Sequence, residues 1–142
     1  MKVRDAMAKT ISTASATATV EEIALLMKKE DCGFIPIVDG AGHALGVVTD
    51  RDIVMRCLAE GHETDIRHET VDHVMTTGAW TVSPDAEIEA ACHEMAVHEV
   101  RRLPVVEDDH VVGILSYGNV EQALHAEGAA AEEATLGVTR GA

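Results

Sequence analysis

The sequence predicts a mixed α/β (α+β) fold made of two pseudo-symmetric β-α-β-β-α repeats packed through their sheets. The first observation behind this is that the chain matches itself at a shift of 68: Met7 falls on Met75, Thr13 on Thr81, Ser15 on Ser83, Ala18 on Ala86, Glu21 on Glu89, Met27 on Met95 and Pro36 on Pro104. After one deleted residue in a turn the shift becomes 67, and Gly46 meets Gly113, Thr49 meets Ser116, Asp52 meets Asn119 and Ile53 meets Val120. An ordered series at a fixed offset is the mark of a structural repeat. The second observation is that each copy passes from helical to strand periodicity in the same order. The third is composition: 46% of residues are hydrophobic but only 2% aromatic, so the core must be built from Val, Ile, Leu, Ala and Met.

The elements follow in order. Val20, Ile23, Ala24 and Met27 recur at i, i+3, i+4, i+7, as do Ile88, Ala91, Cys92 and Met95; both series predict the buried stripe of an amphipathic helix. Thr17 and Asp85 stand just ahead as expected N-caps. The runs Phe34–Val38 and Leu103–Val106 predict strands, joined through turns at 39–42 and 107–109 to Gly46–Thr49 and Gly113–Ser116 as hairpins. A second helix is expected from Arg51 to Ala59 and from about Asn119 to Ala126. Pro36 and Pro104 sit inside strands, where Pro is normally excluded, and their recurrence predicts one shared backbone feature. The expected division is a first repeat over 1–60, a polar linker over 61–70, a second repeat over 71–127, and an Ala/Gly-rich tail over 128–142, either frayed helix or disordered.

Composition also excludes. With 25 acidic and 11 basic residues the net charge is −14, which repels a polyphosphate backbone, so nucleic acid is not an expected partner. No apolar run approaches the roughly 20 residues of a membrane span. The start lacks a signal-peptide core. Cys32, Cys57 and Cys92 are odd in number, widely spaced and without a CxxC, which points to the reducing cytoplasm and not to a disulfide framework.

Gly46-Val47-Val48-Thr49-Asp50-Arg51-Asp52, following a strand with Pro-Ile-Val, resembles the signature of cystathionine-β-synthase-type (CBS) domains. The resemblance covers residues 3–126, and it is similar to stand-alone bacterial CBS-pair proteins of the hypoxic response type. It implies a Bateman module: two domains face to face, up to two clefts for AMP, ADP, ATP or related adenosyl ligands, a two-fold homodimer, and a regulated protein partner. It implies no catalysis and no required cofactor. Carried over residue by residue, Thr49 holds phosphate, Asp52 holds ribose, and Ile35 and Pro36 flank the adenine. Arg102 matches a position that faces a phosphate.

The residues themselves allow the same chemistry. A carboxylate at Asp52 can accept from both ribose hydroxyls, Thr49 can donate to a phosphate oxygen, and Arg51 adds charge. In the second copy Ser116 keeps the hydroxyl, but Asn119 replaces the carboxylate and Gly118 replaces the arginine. That substitution costs on the order of 1–3 kcal/mol at the second cleft, so binding is expected mainly through the first repeat. Thr49-x-x-Asp52 equally fits an ordinary helix cap, and Arg101 and Arg102 fit surface charges. A ligand-free dimerisation or interaction protein is therefore the alternative reading.

Two further patterns are expected to be structural. Gly40–Gly46 mimics a dinucleotide fingerprint but leads into a strand, so it reads as a hairpin loop. His62 and His68 in the polar linker and His73 just beyond it lack tight ligand spacing, and His93 and His98 read as the exposed side of a helix. No nucleophile–base–orienter grouping occurs, so no enzyme activity is expected.

Overall fold

The computed structural model describes residues 1–60 and 65–140; positions 61–64 of the expected linker lie outside the described residues. The chain runs α1 (Val3–Ala6), β1 (Ala14–Ser15), α2 (Val20–Glu30), β2 (Phe34–Val38), β3 (Ala44–Thr49) and α3 (Asp50–Asp52). It continues through β4 (Thr76–Thr77), α4 (Ile88–Val97), β5 (Arg102–Glu107), β6 (His110–Ser116) and α5 (Tyr117–Arg140). The class is the expected mixed α/β.

Helix starts differ from expectation. Thr17 and Asp85 are not N-caps: each gives its backbone N–H to a serine hydroxyl two residues earlier, Ser15 and Ser83, at 3.2 Å. These local turns carry the chain two residues further before a helix begins. Thr19 caps α2, accepting from Glu22 N–H at 3.2 Å while the Glu22 carboxylate accepts from Thr19 N–H at 3.0 Å. Glu87 precedes α4 without a side-chain cap. The buried stripes are Val20, Ile23 and Met27 in α2, and Ile88, Ala91 and Met95 in α4. Ala24, expected in the first stripe, is exposed, because that face tilts toward the half-buried Leu26.

The first sheet has the order β1-β2-β3-β4, with β1 parallel to β2 and the other pairs antiparallel. β5 and β6 form the matching hairpin of the second repeat. Its outer positions are single bridges: Val82 parallel to Val105, and Ala8 antiparallel to Ile114. Val82–Val105 is Ala14–Ile37 moved by one repeat, so the two sheets share one topology.

The outer segments are exchanged. Thr76 and Thr77 lead into the second repeat, yet they pair with Val47 and Gly46 of the first. Ala8 leads into the first repeat, yet it pairs with Ile114 of the second. Side chains follow: fully buried Val71 and Val74 complete the first core, with Ile23, Ile35, Ile37 and Val48, whereas fully buried Val3 completes the second, with Ile88, Met95, Leu103 and Leu115. This crossing explains the repeated glycine. A Cβ on Gly46 would lie 2.3 Å from the Thr76 carbonyl oxygen, and one on Gly113 would lie 2.7 Å from that of Ala8. Only a hydrogen fits under the crossing backbone.

The shared proline has a similarly local cause. Pro104 C=O accepts Val82 N–H at 3.0 Å on the side away from β6. A strand residue's N and C=O point the same way, so the missing N–H falls on the short outer edge and the hairpin ladder stays whole. Pro36 holds the matching register opposite Val47. The Gly40–Gly46 stretch is the expected hairpin loop, with the Asp39 carboxylate accepting Ala41 and His43 N–H at 2.9 Å and Gly42 at φ +87. Beyond β3, α3 widens into a π-helical stretch over Ile53–Leu58, which buries Cys57 and exposes Val54, Met55 and Leu58. α5 runs on through the Ala/Gly-rich segment to Arg140.

Candidate functional site

Among the pockets between the repeats, two lie at the equivalent strand–helix junctions of the two copies. The first has a volume of about 390 Å³ and lies where the β3–α3 junction of the first repeat faces the start of β5 in the second. Thr49, Asp50, Arg51 and Asp52 form one wall, Ala79 and Trp80 come from the segment entering the second repeat, and Glu99 to Pro104 close the other side. The volume falls in the range usual for small-molecule sites. The second cleft, about 210 Å³, is built from the corresponding pieces: Ser116 and Asn119, Ile11 and Ser12, and Glu30 to Ile35. Phe34 and Arg102 correspond at the shift of 68 and border both clefts.

Thr49 ends β3 and caps α3. Its Oγ1 accepts Asp52 N–H at 3.1 Å, and Asp52 Oδ2 accepts Thr49 N–H at 2.9 Å. Asp52 Oδ1 lies 3.8 Å from the Arg56 guanidinium. The cap fixes both side chains without using them up: the Thr49 hydroxyl keeps its proton, and a carboxylate has lone pairs to spare.

The second junction is wired differently. Asn119 Oδ1 accepts both Ser116 N–H, at 3.1 Å, and the Ser116 hydroxyl, at 2.8 Å. The hydroxyl proton is spent there, and the Asn119 side chain has an NH2 donor where Asp52 has a carboxylate oxygen. The two clefts therefore offer opposite hydrogen-bonding character at equivalent positions.

Charge is also uneven. Arg51, Arg101 and Arg102 line the first cleft, against Asp50, Asp52 and Glu99. Among the described residues, none of these three guanidinium groups enters an ion pair or hydrogen bond. Arginines elsewhere are engaged: Arg4 with Asp85, Arg56 with the Val74 carbonyl and Thr76 hydroxyl, and Arg67 with Asp65 at 2.7 Å. Among the described residues, no group of three His, Cys, Asp or Glu side chains could hold a metal ion.

Of the residues singled out from sequence, the structure brings Thr49, Arg51, Asp52 and Arg102 together in the first cleft. Ser116, Asn119 and Ile35 border the second, again with Arg102. Ile35 is 1% exposed and belongs to the first core; Pro36 is buried opposite Val47 and lines neither cleft. Because each cleft forms between repeats, the strand facing Thr49 is β5, and its Leu103 and Pro104 take the place expected for Ile35 and Pro36. The sequence reading also missed Trp80 and Arg101 as cleft residues, and it placed His98 on an open helix face. His98 is instead half-buried beneath Trp80, with ring centroids 3.6 Å apart. The available signal was the lone tryptophan standing where the first repeat has Ser12.

A model of the CBS domain matches residues 3–59 and again residues 71–126. The chain belongs to the CBS domain family. This CBS pair is 37% identical over 118 residues to the CBS domain-containing protein YhcV of Bacillus subtilis, covering 83% of this chain and 81% of that one. It is 30% identical to Hypoxic response protein 1 of Mycobacterium tuberculosis over 121 residues, covering 85% and 83%. Among solved structures it resembles the CBS domain pair of protein MJ0100 in complex with 5′-methylthioadenosine and S-adenosyl-L-methionine. That match has a TM-score of 0.78 and 26% identity, and it covers 87% of this chain and 99% of the other. Adenosyl ligands are thus bound by a CBS pair of the same architecture.

Proposed function

We propose that this CBS pair is a regulatory module that binds an adenine nucleotide or related adenosyl ligand in its first cleft. The observation that carries the reading is the set of three unengaged arginines around the Thr49–Asp52 junction in a chain of net charge −14. Leaving guanidinium groups unpaired amid so many carboxylates favours an anionic ligand at that point. Thr49 Oγ donates to a phosphate oxygen, Arg51 and Arg102 offset its charge, and Asp52 accepts from the ribose hydroxyls. The second cleft, with Glu30 at its wall and an amide in place of the carboxylate, binds more weakly or not at all.

The ligand-free alternative has its own observation: Thr49 and Asp52 already hold one another as an ordinary helix cap. The two readings separate in a thermal-shift panel of AMP, ADP, ATP and S-adenosylmethionine. A ligand at 100 times its Kd stabilises by about 2.7 kcal/mol, while the alternative predicts no shift with any of them.

The same reading includes a homodimer in the reducing cytoplasm, acting on a regulated protein partner. Leu25, Val54, Met55, Leu58 and Leu124 are exposed on the helices, and isologous dimers are the commonest assembly. Light scattering at micromolar concentration is expected to give twice the 15.1 kDa chain mass. A chain-mass result there removes the dimer from the proposal.

A further inference from the structure

The chain's one tryptophan stands at the rim of the first cleft. Trp80 lies nearly flat on His98, with ring centroids 3.6 Å apart and planes inclined by 10°. His98 is itself held: it caps the end of α4, and its Nε2–H donates to the Glu94 carboxylate at 3.0 Å, one helical turn back. Trp80 lines the cleft and His98 does not. The indole therefore stands between the imidazole and the cavity, with one face backed and 54% of the residue still exposed.

We infer that Trp80, braced by His98, is the wall of the first cleft that reads the ligand's base, by stacking a planar purine on its free face. This rests on the nucleotide reading above and adds which group recognises the base. Three features favour it. A large exposed indole gains by covering an aromatic surface, and stacked rings attract beyond the area they bury. The His98 contact fixes the ring before a ligand arrives, so little rotamer freedom is lost on binding. The counterpart in the second cleft is Ser12, which has no ring. Phe34 borders both clefts but is buried, so an exposed, braced ring belongs to the first cleft alone, and it biases the pair toward one purine ligand per chain.

The test uses the full chain, with AMP as ligand and ribose 5-phosphate as the probe lacking a base. Tryptophan emission is followed in the wild type, and calorimetry in the wild type, Trp80→Phe and Trp80→Ala; the exposure of Trp80 makes both variants compatible with folding. Quenching by AMP but not by ribose 5-phosphate is expected. Trp80→Ala should weaken AMP roughly 10-fold, with a smaller loss for Trp80→Phe and no change for ribose 5-phosphate. His98→Ala should weaken AMP when Trp80 is present and have no effect in the Trp80→Ala background, the signature of a positioning residue. If AMP binds and Trp80→Ala binds it equally well, the base is read elsewhere while the nucleotide reading stands. If neither AMP, ATP nor S-adenosylmethionine gives heat with the wild type, the nucleotide reading fails, and this inference with it.

Discussion

Asp52 performs two tasks that one substitution can separate. Its carboxylate accepts Thr49 N–H at 2.9 Å as half of a capping box, and under the proposed function it also accepts from a ribose. The second repeat shows what an amide does in the first task, since Asn119 Oδ1 accepts Ser116 N–H at 3.1 Å. Asp52→Asn should therefore keep the cap and remove only the charge. Its unliganded stability is expected to fall by less than about 0.5 kcal/mol, whereas Asp52→Ala loses the carboxylate half of the capping box and about 1 kcal/mol. For a chain of this size the latter is a drop of about 3–5 °C in Tm. Toward ligand the order of effect differs. Asp52→Asn exchanges charge-assisted hydrogen bonds for neutral ones, about 1–2 kcal/mol or roughly 5- to 30-fold in Kd, and Asp52→Ala costs about 2–4 kcal/mol. Thermal unfolding without ligand and calorimetry with AMP measure the two quantities on the same samples. Wild-type affinity in Asp52→Asn would refute the ribose contact, and a loss of unliganded stability equal to that of Asp52→Ala would refute the separation of tasks.

Other consequences are as direct. Gly46→Ala places a methyl 2.3 Å from the Thr76 carbonyl oxygen, so it should displace β4 and cost about 1–3 kcal/mol in chemical denaturation, whereas Gly40→Ala, with open space around it, should change little. Asn119→Ala should leave AMP affinity within about twofold by calorimetry; a loss matching that of Asp52→Ala would mean both junctions hold the ligand. Cys57 is fully buried, and burial, with the Glu69 carboxylate beside it, pushes its thiol pKa up; a thiol reagent at pH 8 should label it only on unfolding. Hydrogen bonds from Arg67 hold Asp65 down at about 2, and Asp39, Asp72 and Glu87 are also lowered by hydrogen bonds from His43, Thr70 and Lys2 respectively. Depressed carboxylates bind fewer protons folded than unfolded, so their contribution is present above about pH 4–5 and is lost as pH falls toward 2. A Tm that stays flat from pH 6 to 2.5 would contradict this.

Much of the molecule was legible because repetition doubles every local signal. Ile23 and Met27 alone suggest a helix; finding Ala91 and Met95 at the same offset makes the assignment mutual. The Thr49–Asp52 junction was equally visible, since its spacing is set by one helical turn. What self-alignment cannot supply is the spatial operation relating the copies. It equates Pro36 with Pro104 but does not say that β5, and not β2, faces Thr49; Ile35 and Pro36 came from the family resemblance, while the first cleft is lined by Leu103 and Pro104. The cap positions were missed because Ser15 and Ser83 form short-range turns that compete with the helix start. His98 was missed because a helical wheel knows nothing of Trp80, which arrives from a segment 18 residues earlier. The π-helical stretch at Ile53–Leu58 left no sequence signal of its own.

The exchange of outer segments has a bearing on how the chain folds. During synthesis the first repeat emerges with β3 still lacking β4 and its core still lacking Val71 and Val74, while residues 1–8 wait for β6. A cut between the repeats would yield two pieces, each carrying the segment that the other needs and each presenting an unpaired strand edge to its neighbours. Neither half is an autonomous folding unit, so unfolding should be a single cooperative event with substantial sequence separation in its contacts, and hence a comparatively slow folding rate. The arrangement also means that Thr49, Trp80 and Arg102 reach their common cavity only after both sheets have closed. The first cleft is thus complete only once both repeats are in place.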